Sequence, residues 1–307
     1  MKYTKEDLAF IKNAHAPQHS TTASMKGKRC VIAGATSGVG LEAARMLAKG
    51  GADLVLVARN RDKAAALQAQ LEQEHHVAVD VVTADFDRLD DVREAALRIR
   101  DAHPAIDVLI NSAGLYCTRR QLTADGNELV FQVNHLASFL LTMLLLEPLI
   151  NSPQGRIIQV NSEGHRFGGL RVDDLAWSKR HYFGLRAYGA SKTAQLMTVR
   201  TLAQRLADTS VTINAMHPGG VRTRIGSNNG ILYRAWQRMV IWPFLKDPAI
   251  SGSALYYLAA APELRHTTGR YFNLTIDEKP MPHALDDALR DAVWAKSLEL
   301  AGLPKAF

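Results

Sequence analysis

The 307-residue chain predicts an α/β fold, a doubly wound parallel sheet in a three-layer α/β/α arrangement. Three observations carry this. Short apolar runs alternate with helical patterns along most of the chain. The early runs are rich in Val, Ile and Leu and barely alternate in polarity, as strands covered on both faces do. A glycine-rich turn, Gly34-Ala-Thr-Ser-Gly38-Val-Gly40, separates the first run from the first helical stretch.

The elements follow in order. Residues 1–24 are polar and read as an amphipathic or loose N-terminal extension, with no signal-peptide core. One catalytic domain is expected over 25–307. Arg29–Ala33 is a strand, followed by a helix over Val39–Lys49. Asp53–Ala58 precedes a charged helix over Arg61–His75. Val77–Ala84 precedes a helix over Leu89–Ala102. Ile106–Ile110 leads through a loop to a long helix near Gly126–Leu149. Arg156–Val160 is followed by an insertion and a helix over Ala187–Leu206. Val211–Met216 and a short last strand near Tyr271–Leu274 complete the sheet. Asp286–Leu300 reads as a C-terminal helix within a tail of about 276–307.

Composition narrows the function. The net charge of +7 is spread along the chain, which suits a solvated surface, a phosphorylated cofactor or an anionic surface. No basic run is interleaved with aromatics, so nucleic-acid binding is not expected. Cys30 and Cys117 have neither metal-ligand spacing nor a disulfide framework, which suits packing residues in a reducing, cytoplasmic setting. No metal is expected. The longest apolar stretch, Phe139–Ile150, is too short for a membrane span and contains Glu147 and Pro148.

Three motifs carry chemistry. The glycines of the Gly34–Gly40 turn allow close backbone approach of a pyrophosphate to a helix N-terminus. An ordinary strand–helix turn would look the same in isolation. After the second strand comes Arg59-Asn60-Arg61, where a site for NAD(H) usually has an acid on the ribose 2′-hydroxyl. Arg59 and Arg61 suit a 2′-phosphate instead, so NADP(H) is expected over NAD(H). An exposed arginine at a helix start is the alternative. Asp85, followed by Phe86 after the third strand, is placed either to accept from an adenine amino group or to cap a helix. Tyr188-Gly-Ala-Ser-Lys192 puts a phenol and an ammonium on one helical face. A neighbouring cation lowers a phenol's pKa and lets the pair move a proton. Tyr182 is a rival phenol, but its fourth neighbour, Arg186, is a poorer partner than a compact lysine. Glu163, His165 and His217 read as polar loop residues.

Taken in order with Asn111-Ser-Ala-Gly114, Asn134 and Ser162, these motifs resemble the short-chain dehydrogenase/reductase family, from about Gly27 to Phe272. The resemblance implies a Rossmann-type fold. It implies a cofactor held by Gly34, Gly38 and Gly40, with Thr36, Ser37 and Val39 in the same turn. It places Asn111, Ala113 and Gly114 beside the adenosine, and Pro218, Gly219, the Val221 backbone and Thr223 around the nicotinamide and phosphates. It implies a catalytic tetrad of Asn134, Ser162, Tyr188 and Lys192. The retinol-dehydrogenase-like branch is the most similar, through Asn134-His-Leu-Ala-Ser-Phe-Leu-Leu-Thr142, the insertion with Asp173-Asp-Leu175, and the ending with Trp294 and Ser297. Ala33, Ser112 and Asn161 depart from the usual Thr, Asn and Ser, and none removes a tetrad member.

The groups then have physical roles. Tyr188 is the general acid in carbonyl reduction and the base in alcohol oxidation. Lys192 holds the nicotinamide ribose, Ser162 bonds the substrate oxygen, and Asn134 holds a water that relays protons towards Lys192. The segment at about 223–247, with Ile231, Leu232, Trp236, Met239, Val240, Ile241, Trp242, Phe244 and Leu245, is expected to be an apolar lid over a lipophilic carbonyl or alcohol substrate. Packing on the domain, or peripheral contact with a membrane surface, are its other readings. The expected activity is NADP(H)-dependent interconversion of a ketone or aldehyde and an alcohol. Two alternatives are a non-catalytic dinucleotide sensor or scaffold of the same fold, and a carbon–carbon double-bond reductase. The resemblance also suggests a homodimer paired through the helices near Gly126–Leu149 and Ala187–Leu206, with the C-terminal extension in a position to block assembly.

Overall fold

The computed structural model describes residues 9–13, 15–222, 225–236, 239 and 242–305. Its core is an eight-stranded sheet of order β3-β2-β1-β4-β5-β6-β7-β8. Strands β1 (Arg29–Ala33), β2 (Asp53–Ala58), β3 (Val79–Thr83), β4 (Val108–Asn111), β5 (Arg156–Val160), β6 (Thr212–His217) and β7 (Tyr271–Asn273) are parallel. The eighth, β8 (Ile276–Glu278), is antiparallel to β7 and was not expected from the sequence. Three residues directly after a tight turn carry too little periodicity to be read.

Helices cover both faces. On one side α4 (Leu89–Ala102), α6 (Ala137–Leu144) and α8 (Gly184–Arg205) pack with Leu109, Ile157 and Ile213 in one apolar cluster. On the other, α2 (Gly38–Lys49) and α10 (Ala249–Ala260) enclose Ile32, Leu56 and Ile110. Burial on both faces explains the unbroken apolar strands. α3 (Arg61–His75) flanks the sheet edge against β3. α5 (Leu129–Phe131) leads into α6 through a π-turn, Gln132–Leu136. α7 (Leu146–Ile150) and a short α9 (Ile231–Trp236) complete the middle of the chain.

The described residues nearest both ends pack on the domain. The N-terminal extension, from α1 (Ala9–Asn13) onward, docks on the β7–β8 edge. Asn13 Nδ2 donates to Glu278 Oε2 (3.0 Å), His19 N donates to Thr275 Oγ1 (2.8 Å), and Tyr256 Oη donates to the Ala23 carbonyl (2.7 Å). The C-terminal helix α11 (Asp287–Leu300) packs along α8 and α6. Trp294 stands edge-on to Phe139 at 5.3 Å, and His135 Nε2 meets Ser297 Oγ at 2.8 Å. The helices expected to pair two copies are thus partly covered by the chain's own C-terminus. Among the described residues no helix is long and apolar enough to cross a membrane.

Candidate active site

A cavity of about 770 Å³ opens at the carboxyl ends of the strands. The turn after β1 forms its floor. Gly34 has φ +82°, and a Cβ there would lie 2.7 Å from Ala113 N; a Cβ on Gly40 would lie 2.3 Å from the Gly34 carbonyl oxygen. The turn is therefore packed too closely against the loop after β4 for any side chain. Ser37, the N-cap of α2, makes no side-chain cap bond, so the first-turn amides of α2 face the cavity without that partner. Gly34, Thr36, Ser37, Gly38 and Val39 line the cavity, and Gly40 lies behind them.

At the end near β2 and β3 the cavity is lined by Arg59, Lys63, Asp85 and Phe86. Arg59 Nη1 is 3.8 Å from Asp85 Oδ2, and the Arg59 side chain is 73% exposed. Lys63 escaped the sequence reading because it lies a helical turn beyond the strand. Asn60 Oδ1 accepts from Lys63 N (2.8 Å) and so starts α3. Asp85 is not a helix cap: Arg88 holds the N-cap position of α4, and Leu89 N donates to Asp125 Oδ2 at 3.0 Å. Ala113 and Gly114 line the cavity, but Asn111 does not. Its side chain turns inward and donates to Thr142 Oγ1 at 2.9 Å. Pro218, Gly219 and Val221 line the far wall, and Thr223 lies outside the described residues.

The four tetrad candidates arrive on three elements. Ser162 follows β5, and its Oγ accepts from Gly164 N (3.0 Å) to start a 3₁₀ turn, Glu163–Phe167. Tyr188 and Lys192 are on α8, and both line the cavity with Ser162. Asn134 is in the π-turn, a distortion often found at functional sites. It does not line the cavity. Its Oδ1 accepts from Leu115 N (2.8 Å), and its Nδ2 donates to the Leu115 carbonyl (3.0 Å) and to Ser191 Oγ (3.0 Å). Its side chain thus braces the loop after β4 against α8.

Burial pushes the Tyr188 phenol up to about 12, and a hydrogen bond with Ser162 draws it back only partly. The expected lowering by Lys192 is not what this arrangement shows. The lysine Nζ lies 5.9 Å from the Tyr188 ring centroid and donates instead to the Val160 carbonyl (2.8 Å) and Gln195 Oε1 (3.2 Å). Burial pushes Lys192 down to about 7. The rival Tyr182 is turned away, donating to Glu128 Oε1 at 3.1 Å.

Gly164 also escaped the sequence reading. A Cβ there would lie 2.4 Å from Tyr188 Cε1. Gly164→Ala should therefore displace the phenol and lower kcat by at least ~10-fold at unchanged cofactor affinity. Equal kcat in steady-state assays would refute this contact.

Of the three supposed loop residues, His165 is buried and Glu163 and His217 are half-buried. Glu163 accepts from Tyr271 Oη (2.6 Å) and from Arg166 Nε, and Arg166 Nη2 donates to Glu278 Oε1 (2.7 Å). Burial raises the Glu163 carboxyl, but His217 and Arg166 outweigh it and leave it below the usual range. Met281 N donates to His165 Nε2 (3.2 Å), so His165 Nδ1–H donates to the Ser162 carbonyl (2.9 Å). His217 lines the cavity, its Nδ1 accepting from Glu163 N at 3.4 Å, and burial pushes it down to about 4. The sequence held no local sign of this cluster, because its partners lie more than a hundred residues downstream.

The expected lid is described in part. Ile225 and Ser227 line the cavity, and Asn229 Nδ2 donates to the Tyr116 carbonyl (2.8 Å). Ile231 and Met239 face solvent, at 75% and 72% exposure. The Trp236 side chain and residues 237–238 and 240–241 lie outside the described residues.

A sequence model of the short chain dehydrogenase family matches residues 28–230. Retinol dehydrogenase 13 of Homo sapiens is 36% identical over 288 residues, which is 92% of this chain and 86% of that protein. A candidate daunorubicin C-13 ketoreductase of Streptomyces sp. (strain C5) is 38% identical over 290 residues, or 93% of this chain and 97% of that one. Among solved structures, a short chain dehydrogenase from Burkholderia cenocepacia J2315 in complex with NADP is similar at a TM-score of 0.64 and 25% identity, covering 82% of this chain and 97% of that one.

Proposed function

This chain belongs to the short chain dehydrogenase family, in its retinol-dehydrogenase-like branch, and on that premise we propose that it interconverts a lipophilic ketone or aldehyde and its alcohol with NADP(H). The observation that carries the reading is the meeting of Ser162, Tyr188 and Lys192 in one cavity with the uncapped N-terminus of α2. A phosphate-accepting helix end and a proton donor share one space. We take residues 25–307 as one catalytic unit. Cys30 and Cys117, both buried and neither in a disulfide, favour a reducing, cytoplasmic setting.

The residues fit a dinucleotide. The turn amides of α2 would hold the pyrophosphate, and Arg59 and Lys63 would meet a 2′-phosphate. Lys192 would hold the ribose. Bound there, a nicotinamide supplies or accepts the hydride. The chain does the rest. Ser162 Oγ donates to the substrate oxygen and orients it. The Tyr188 phenol, kept protonated by its burial, gives its proton to that oxygen in reduction. In oxidation the phenolate must form, and the hydrogen bond with Ser162 favours it. The names of two relatives, a retinol dehydrogenase and a C-13 ketoreductase, support a substrate with a large apolar body.

Mixing the protein with NADPH and a panel of apolar aldehydes and ketones tests this; no cofactor oxidation with any of them would overturn it. Cofactor choice has its own test. Arg59→Asp should weaken NADPH at least tenfold and NADH little, since a charged hydrogen bond is worth roughly 1.5–3 kcal/mol. Fluorescence titration measures both affinities. A wild type that binds NADH as tightly as NADPH would refute the role of Arg59.

A further inference from the structure

Lys192 is buried and, among the described residues, has no carboxylate partner, yet its charge is needed. Two acceptors hold its ammonium: the Val160 carbonyl at 2.8 Å and Gln195 Oε1 at 3.2 Å. Gln195 is itself 1% exposed and uses both ends of its amide. Oε1 also accepts from Asn161 Nδ2 (2.9 Å), while Nε2 donates to the Asn134 carbonyl (3.0 Å) and to Gln159 Oε1 (3.1 Å). Rotating the amide by half a turn would set its NH₂ against the ammonium and the Asn161 NH₂, and its oxygen against two acceptors. The orientation is therefore fixed by four partners. Asn161 is locked in turn, accepting from Ser162 N (2.8 Å) and donating to the Lys192 carbonyl (3.0 Å).

We propose that Gln195 is a positioning residue: its amide oxygen holds the Lys192 ammonium, and its amide nitrogen fastens that lysine to the Asn134 carbonyl in the π-turn. A protein amide then makes the connection for which a relay water was expected. The inference rests on the proposed dinucleotide-dependent reaction, in which Lys192 must be charged to hold a ribose.

The titratable groups facing Lys192 are Tyr188 and His135. Tyr188 stays a neutral phenol, and burial, helped by the Lys192 charge, keeps His135 neutral, down at about 3. Among the described residues no acid offsets the burial that pushes Lys192 down to about 7. Neutral acceptors alone keep it protonated near neutral pH, so changing the character of Gln195 should move its titration. The sign follows directly. Losing an acceptor destabilises the ammonium and lowers its pKa; adding a carboxylate raises it.

The test is the pH dependence of NADPH affinity, by fluorescence titration without substrate, alongside the alkaline fall of kcat/KM. Gln195→Met, similar in shape, should move both inflections down by roughly half a unit or more. Gln195→Glu should move both up by about one unit or more. Opposite movements support the proposal. Inflections that stay at the wild-type pH in both variants, with only a lower Tm, would reduce Gln195 to packing and overturn it. If Gln195→Met does not fold, Gln195→Asn, whose shorter amide cannot reach the ammonium, replaces it with the same expectation. A wild type that binds NADPH but turns over no carbonyl would overturn the reductase reading instead, and the affinity inflections would still decide the role of Gln195.

Discussion

Tyr188→Phe should lower kcat for carbonyl reduction by about 10²–10⁴-fold, the usual worth of a positioned general acid. The ring stays, so its contacts with Tyr116, edge-on at 6.2 Å, and with Gly164 are kept. Only the hydroxyl is removed, together with its bond to Ser162. Cofactor affinity should change by no more than about twofold, because hydroxyl loss leaves the α2 turn and Lys192 in place. Stability should hold or rise slightly, since a buried polar group disappears. Single-turnover reduction separates chemistry from product release. A phenylalanine variant that reduces carbonyls near the wild-type rate would move the proton donor elsewhere, to another cavity-lining titratable group such as His217.

The second large effect is on folding. Arg166→Met should destabilise the protein by about 3–5 kcal/mol, because it removes the cation between a buried carboxylate, Glu278, and a half-buried one, Glu163. Arg166 bonds both Glu163 and Glu278 and lies 4.3 Å from the centroid of the Phe10 ring. For a chain of this length each kcal/mol moves Tm by roughly 2–4 °C, so a fall on the order of 10 °C is expected. The pH dependence has a definite sign. Burial, then the charge of Glu163, already raises the Glu278 carboxyl in the wild type. Without the arginine the Glu278 carboxyl rises further, and the Glu163 carboxyl loses part of what holds it below the usual range. A carboxyl raised on folding stabilises below its unfolded pKa, and that stability is lost as pH climbs through the folded pKa. The variant should thus lie closest to wild type near pH 5 and furthest from it near pH 8. Melting curves at both values check this; an equal deficit at both would assign the loss to packing alone.

Much of the fold was legible in the sequence because its signals are local. The strands β1, β2 and β5 and the glycine turn announce themselves within a few residues, and Tyr188 and Lys192 declare their shared face by spacing alone. What escaped is contact across long separations. Glu163 and His165 look like loop residues until Glu278 and Met281 are folded beneath them. Gln195 looks like one more polar position on a helix until four partners surround it. The expected effect of lysine on the phenol failed for a related reason. Spacing shows which helical face a side chain shares, but not that a carbonyl and an amide hold the ammonium away from the ring.

The docking of the segments nearest both ends has a consequence for synthesis. The turn that carries Ser162 leaves the ribosome with Glu163 and Arg166 already in it, but the second carboxylate that Arg166 bonds is 112 residues later and the Met281 amide that fixes His165 is 116 residues later. The dinucleotide half of the sheet contains only nearer pairings and can form first. A nascent chain halted before β8 would thus be able to grip a nucleotide while its proton-transfer machinery was unassembled. Chemical competence should arrive abruptly, once β8 and the Met281 amide have emerged.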